Sequence, residues 1–216
     1  ATLIGKTQWI ESNITLLRQD ISNNVTVHNE LEIISSEVVI YFDRNNTASY
    51  GETNTEGIYL VSGSKLIIRD SDENPDTKND ASKIRPYGYG NPVYSWNTLA
   101  SWEIMGDNSN STLLNIRNSI LIDIWQSRVY GDDSLVTNNH FIGTSDIFFY
   151  GDNLRYLNNT HDTTELNKSY VNSGAVRAYD GRDQIIDNNT FSNGNLAIDI
   201  ERTTNITVSN NKFYNK

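Results

Sequence analysis

Apolar residues recur along this chain at every second position, in short bursts parted by polar turns. Val25 and Val27, then Leu31 and Ile33, form one row; Ile58 and Leu60, then Leu66 and Ile68, form another across the turn Ser62-Gly63-Ser64. Leu114 and Ile116 lead into Ile120, Ile122 and Ile124, and Leu196, Ile198 and Ile200 lead into Ile206 and Val208. A period of two sends alternate side chains to opposite faces of a strand, so each burst predicts a short strand with one inward face. No stretch sustains a 3.6-residue period. Ile14 to Ile21 is the one candidate for a short helix, and it reads equally as strand.

The bursts also repeat. Residues 184–193 align without gaps on residues 206–215, at an offset of 22, and both copies carry an Asn-Asn pair with a phenylalanine two positions on. Leu135 to Phe141 is a third copy, Asn158-Asn159-Thr160-His161 a fourth, and Arg117-Asn118-Ser119-Ile120 a degenerate fifth. The repeated asparagines are Asn118, Asn139, Asn159, Asn189 and Asn211, with steps of 21, 20, 30 and 22. Ile120, Phe141, Phe191 and Phe213 follow two residues later, and His161 breaks the rule. A step near 22 is one turn of a wide solenoid with three short strands per coil. One coil cannot bury its own inward face, but stacked coils build a continuous core. An inward asparagine then finds partners in the coils above and below, so the series predicts an asparagine ladder.

The Asn-Asn-X-Phe copies resemble the repeats of the right-handed parallel β-helix superfamily. Residues 57–72 are similar to coils of cell-surface β-helix proteins of archaeal and bacterial type. The resemblance covers about three quarters of the chain and implies an all-β right-handed parallel β-helix. It implies no one activity, because the superfamily holds lyases, hydrolases, adhesins and structural proteins alike.

A single solenoid domain over residues 1–216 is expected, with two interruptions. Residues 70–112 read as a large inserted flap, rich in Asp, Asn, Tyr and Trp and holding all three prolines. Residues 162–173 read as a second insertion, which accounts for the step of 30. Loops of this length are usually functional or disordered, and the aromatics Tyr87, Tyr89, Tyr94, Trp96 and Trp102 argue for order.

Composition narrows the partners. The net charge of −10 repels phosphate backbones and argues against nucleic acid. No run approaches the roughly 18 apolar residues of a membrane span. The chain has no cysteine, which removes disulfides and thiolate metal sites. It holds 30 asparagines, and Asn-X-Ser/Thr occurs at Asn13, Asn24, Asn45, Asn110, Asn158, Asn167, Asn188 and Asn205. A chain this rich in Asn, Ser and Thr makes such triplets by chance. Together the eight still favour an exported, glycosylated protein of the cell surface, with Ala1 as its mature N-terminus.

Three clusters could carry chemistry. Asp70, Asp72, Asn74 and Asp76 alternate along one loop, with Asp80 beyond. Calcium takes about six to eight oxygens, which alternating short acidic side chains on a turning backbone can deliver. Pro75 stands where an EF-hand needs glycine, and the competing reading is a solvated acidic loop. Asp132-Asp133 resembles the paired aspartates of β-helix hydrolases, without the rest of their signature. Arg177, Tyr179, Asp180, Arg182 and Asp183 crowd one segment; a lyase could use such a set, and so could a salt-bridged turn.

The sequence thus predicts a non-catalytic extracellular structural protein, a subunit of a surface layer, sheath or filament. Its partners are expected to be further copies of itself, joined through the solenoid ends, with glycans as possible ligands. The alternative is a polysaccharide lyase or hydrolase, or a carbohydrate-binding β-helix module.

Overall fold

The structure is a computed structural model that describes residues 1–17, 25–41, 57–72, 74, 76, 77, 80–86, 102–107, 111–124, 127–143, 147–162, 176–194 and 196–214. These residues form a right-handed parallel β-helix of three sheets, each of eight parallel strands. No helix occurs among them, and Asn13–Leu16, at the start of the stretch that invited one, is a strand. Every third strand in sequence belongs to the same sheet, so each coil contributes one strand to each of three faces. The coil made of Ser127–Tyr130, Leu135–Thr137 and His140–Ile142 is representative.

Inward rows fill the interior. Val25, Val27, Leu31, Ile33, Leu60, Leu66 and Ile68 are wholly buried, as their period of two predicts. Along the third sheet, Leu121, Phe141, His161, Phe191 and Phe213 stand in one column. The rings of Phe141, His161 and Phe191 stack at centroid spacings of 4.7 and 4.8 Å.

Two corner columns explain the Asn-Asn pairs. The first residue of each pair adopts the left-handed conformation that turns the chain from the second sheet to the third: Asn138 (φ 58°), Asn158 (56°), Asn188 (53°) and Asn210 (52°). Asparagine tolerates that region better than most residues. The second residue points inward. Asn139 Nδ2 donates to Asn159 Oδ1 at 3.0 Å, Asn159 Nδ2 to Asn189 Oδ1 at 3.1 Å, and Asn189 Nδ2 to Asn211 Oδ1 at 2.9 Å. Each acceptor also receives the backbone N–H of the preceding coil, and each Nδ2 also donates to a carbonyl.

Asn118 does not belong to this column. Ile120 pairs with His140, which sets Ser119 beside Asn139 and Asn118 beside Asn138. Ser119 takes the inward place, its backbone N–H donating to Asn139 Oδ1 at 3.0 Å, while Asn118 (φ 48°) is the corner residue. The same one-residue shift turns Leu121 inward and Ile120 outward. In a strand such a shift exchanges the faces. Toward the N-terminus serines hold the position: the Ser12 N–H donates to Ser36 Oγ at 3.0 Å and the Ser36 N–H to Ser82 Oγ at 3.3 Å.

At the corner between the first and second sheets, coils approach backbone to backbone. A Cβ on Gly131 would lie 1.7 Å from the Thr112 carbonyl oxygen, and one on Gly181 would lie 2.0 Å from that of Gly151. Only glycine fits there.

The boundaries of the insertions differ from those read in the sequence. Residues 70–112 are not one flap, because Lys83–Pro86 and Glu103–Gly106 are coil strands within the third and first sheets. Their short runs are flanked by so much polar sequence that the alternation does not stand out. Trp102, counted with the flap, is wholly buried, and its Nε1 donates to the Ile122 carbonyl at 2.7 Å. Tyr87, Tyr89, Tyr94 and Trp96 lie outside the described residues. So does the second insertion beyond Asp162, where strand Thr160–Asp162 ends.

Removing a member of the amide column strands its neighbours. Asn189→Ala should destabilise the fold by about 1–3 kcal/mol in urea unfolding, since the Asn159 backbone N–H and one Nδ2 hydrogen lose their shared acceptor. Asn193, at φ 64°, is a fair control only as Asn193→Gly, which should change stability little.

His161 adds a pH dependence. Burial holds its imidazole neutral and lowers its pKa from 6.5 to about 3, and Nε2 lies 2.5 Å from the Tyr156 hydroxyl. The unfolded chain takes up this proton below its ordinary pKa and the native state does not. Stability should therefore fall as pH drops from 6.5 toward 3, by up to about a factor of ten in the folding equilibrium per pH unit from this group. In urea titrations at several pH values, His161→Phe should flatten that slope, whatever it does to absolute stability.

Candidate cation site

The corner between the second and third sheets takes two residues in the coil of Asn118 and Ser119, but thirteen in the coil before it. Strand Lys65–Arg69 ends at residue 69 and the next strand begins at Lys83. Register places Asp70 beside Asn118, because Ile68 pairs with Ile116. The loop leaves the solenoid at Asp70 and returns at Ser82. That serine anchors the return by donating to the Arg69 carbonyl at 2.7 Å.

The loop brings three carboxylates together: an oxygen from each of Asp70, Asp72 and Asp80 lies within 4.8 Å of the others. Asp70 is wholly buried, and both its oxygens lie 3.1 Å from Asn118 Nδ2. Asn118 Oδ1 is buried without a hydrogen-bond partner. Burial pushes the Asp70 carboxyl above its usual range, and the charges of Asp80 and Asp72 push it further, against the Asn118 bond. Asp80 is held below the usual range, chiefly by the Ser71 hydroxyl at 2.6 Å. The two shifts agree in substance: the outer carboxylate stays ionised in water, and the inner one bears the cost of its burial.

Of the five residues expected to act together, Asn74 and Asp76 are exposed, and the Asp76 carboxylate is not one of the three. Asn74 Oδ1 accepts the Asp76 N–H at 3.1 Å, and Asp72 Oδ1 accepts the Asn74 N–H at 2.8 Å, so these two side-chain oxygens brace the loop's turns. Asn118 stands 48 residues from Asp70 along the chain and its residue type groups it with the ladder, so the sequence alone does not show it beside this loop.

The other clusters dissolve into links between coils. Arg177 pairs with Asp199, Arg182 with Asp152 and Arg202 with Asp180, at 2.8, 2.8 and 2.6 Å. Asp132 accepts the Asp152 N–H at 2.7 Å, and Asp133 accepts from Asn153 Nδ2 at 3.0 Å. The acidic and basic side chains that suggested acid–base chemistry are engaged along the solenoid axis. Of the eight glycosylation triplets, Asn13, Asn158, Asn188 and Asn205 are exposed, while Asn24, Asn45, Asn110 and Asn167 lie outside the described residues.

The chain matches no protein-family model, no curated protein and no solved structure. Among the described residues no helix is long and apolar enough to cross a membrane.

A divalent cation between the three carboxylates would offset their repulsion. Calcium should raise the melting temperature and a chelator should lower it. Asp70→Asn should do two opposite things: raise stability in chelator, by removing a buried charge, and abolish the response to calcium. Equal calcium shifts in the wild type and Asp70→Asn would exclude this cluster.

Proposed function

We propose that this chain is a non-catalytic extracellular structural protein, a rod-like subunit of a surface layer, sheath or filament that stacks end to end with further copies. The support is the register of the apolar columns, which runs unbroken from the first described coil to the last. Followed strand by strand, Ile200 lies in the column of Leu3, Val208 in that of Trp9 and Phe213 in that of Ile14. On the last coil Ile200, Val208 and Phe213 are 41, 42 and 59 % exposed, and Leu3, Trp9 and Ile14 on the first are half-buried.

A copy laid on the last coil sets apolar side chain on apolar side chain in all three sheets. It also brings Ser12 over Asn211, continuing the inward polar column. Such a contact joins one end to a different end. It propagates into an open filament unless rotation closes it. In the same reading calcium occupies the acidic corner and pins the loop to the coil beneath. The exposed triplets at Asn13, Asn158, Asn188 and Asn205 carry glycans, which fits a cell-surface location.

Sedimentation of the chain at micromolar concentration, with calcium and with chelator, tests the assembly. Polymers are expected, and Phe213→Glu should return them to monomers. A stable monomer under both conditions overturns the reading.

A further inference from the structure

The outer face of the first sheet carries a different pattern from the rest of the surface. In register across three coils, Arg128, Phe148 and Arg177 form one row, and Tyr130, Tyr150 and Tyr179 form the next. The Phe148 ring is clasped on both sides, with the Arg128 guanidinium 5.7 Å and that of Arg177 4.9 Å from its centroid. The Tyr130 and Tyr150 rings stack at 4.5 Å, and Tyr150 lies parallel to Phe148 at 6.4 Å. Ring faces are therefore spent on one another and on the guanidiniums. What this face offers outward is charge and hydroxyl edges.

The two arginines differ in their compensation. Arg177 is neutralised by Asp199 at 2.8 Å, and the Tyr179 hydroxyl donates to the same carboxylate at 2.8 Å. Arg128 has no ion pair among the described residues, and the Tyr130 and Tyr150 hydroxyls have no hydrogen bond there. Arg128 is near enough to Tyr150 for its charge to favour the phenolate, against the burial that raises that pKa. An unneutralised guanidinium, oriented by an aromatic ring and flanked by two unengaged phenols, is a seat for one carboxylate with hydroxyl neighbours.

The geometry points to an acidic polysaccharide, lying along the solenoid axis with a carboxylate on Arg128 and its hydroxyls on Tyr130 and Tyr150. The backbone of this face is paired from coil to coil, so a peptide cannot join it as an added strand. A linear polymer with hydroxyls on every unit matches a row of phenols repeated once per coil. The chain is otherwise acidic, with 27 carboxylate residues against 17 basic ones, so an acidic glycan is steered to this row and away from the rest of the surface. This inference is independent of end-to-end stacking.

Affinity electrophoresis at low ionic strength tests it with two polymers on one backbone, carboxymethyl cellulose and neutral hydroxyethyl cellulose, and with single-stranded DNA as a third. The wild-type chain should be retarded by carboxymethyl cellulose alone. Arg128→Gln should weaken that retardation at least tenfold, and Tyr150→Phe severalfold, with melting temperatures near wild type. A third variant, Arg155→Gln, on the outer face of the second sheet, should leave it unchanged. Several outcomes overturn the proposal: no retardation of the wild type, equal retardation by the neutral polymer or by DNA, or Arg128→Gln behaving as wild type. If Arg128→Gln unfolds, Tyr150→Phe and competition by free acetate decide the matter in its place.

Discussion

A side-chain amide buried between stacked coils must satisfy two donor hydrogens and two acceptor lone pairs, and here the coils on either side supply the partners. Asn159 takes the backbone and side-chain donors of Asn139 on its oxygen, and gives its own hydrogens to the Val136 carbonyl and to Asn189. None of these bonds survives a slip of one residue. The amides therefore do little that the apolar core does not already do for burial, and a great deal for register. Once register is fixed, the apolar columns, the glycine corner, the aromatic rows on the outside and the paired charges all fall into line.

Much of this was legible in the sequence, because a period of two and an offset near 22 are arithmetic consequences of the fold. The inward rows from Val25 to Ile68 and the Asn-Asn copies from Asn138 onward are evident in the sequence itself. The failure at Asn118 has a clear cause. In the pair Asn-Asn the two residues do different work, one turning the chain and the other bonding inward. In Asn118-Ser119 only the corner residue is still an asparagine, so matching by residue type picked the wrong one. Serine serves inward because its hydroxyl can accept a backbone N–H and donate to a carbonyl, as those of Ser36 and Ser82 do. Aligning Ile116 on Val136 reveals the shift, and aligning it on Ile68 reveals the pairing of Asn118 with Asp70.

The candidate sites were harder to read for a related reason. Their members belong to different coils, and distance along the chain hides adjacency along the axis. Asp70 and Asn118 are one coil apart, as are Arg128 and Phe148. The segment from Arg177 to Asp183 reads as a cluster because its residues are close in sequence, yet Arg177, Asp180 and Asp183 reach to the following coil and Arg182 to the preceding one. Corners accept extra residues without disturbing the stack. The acidic loop arises at one, while strands on either side keep their pairing.

The inward column also makes the two halves of the rod unequal under load. All inter-coil hydrogen bonds run along the axis, so tension applied at the ends pulls each coil directly from the next. At the serine junctions the column contributes two bonds, one from a backbone N–H to a hydroxyl and one from that hydroxyl to a carbonyl of the preceding coil. At the asparagine junctions it contributes three, because the amide Nδ2 above adds a bond and the amide Nδ2 below donates to a carbonyl in its turn. A stretched rod should therefore part first toward its N-terminal half, leaving the asparagine-bearing coils as a grip that holds while the rest unzips.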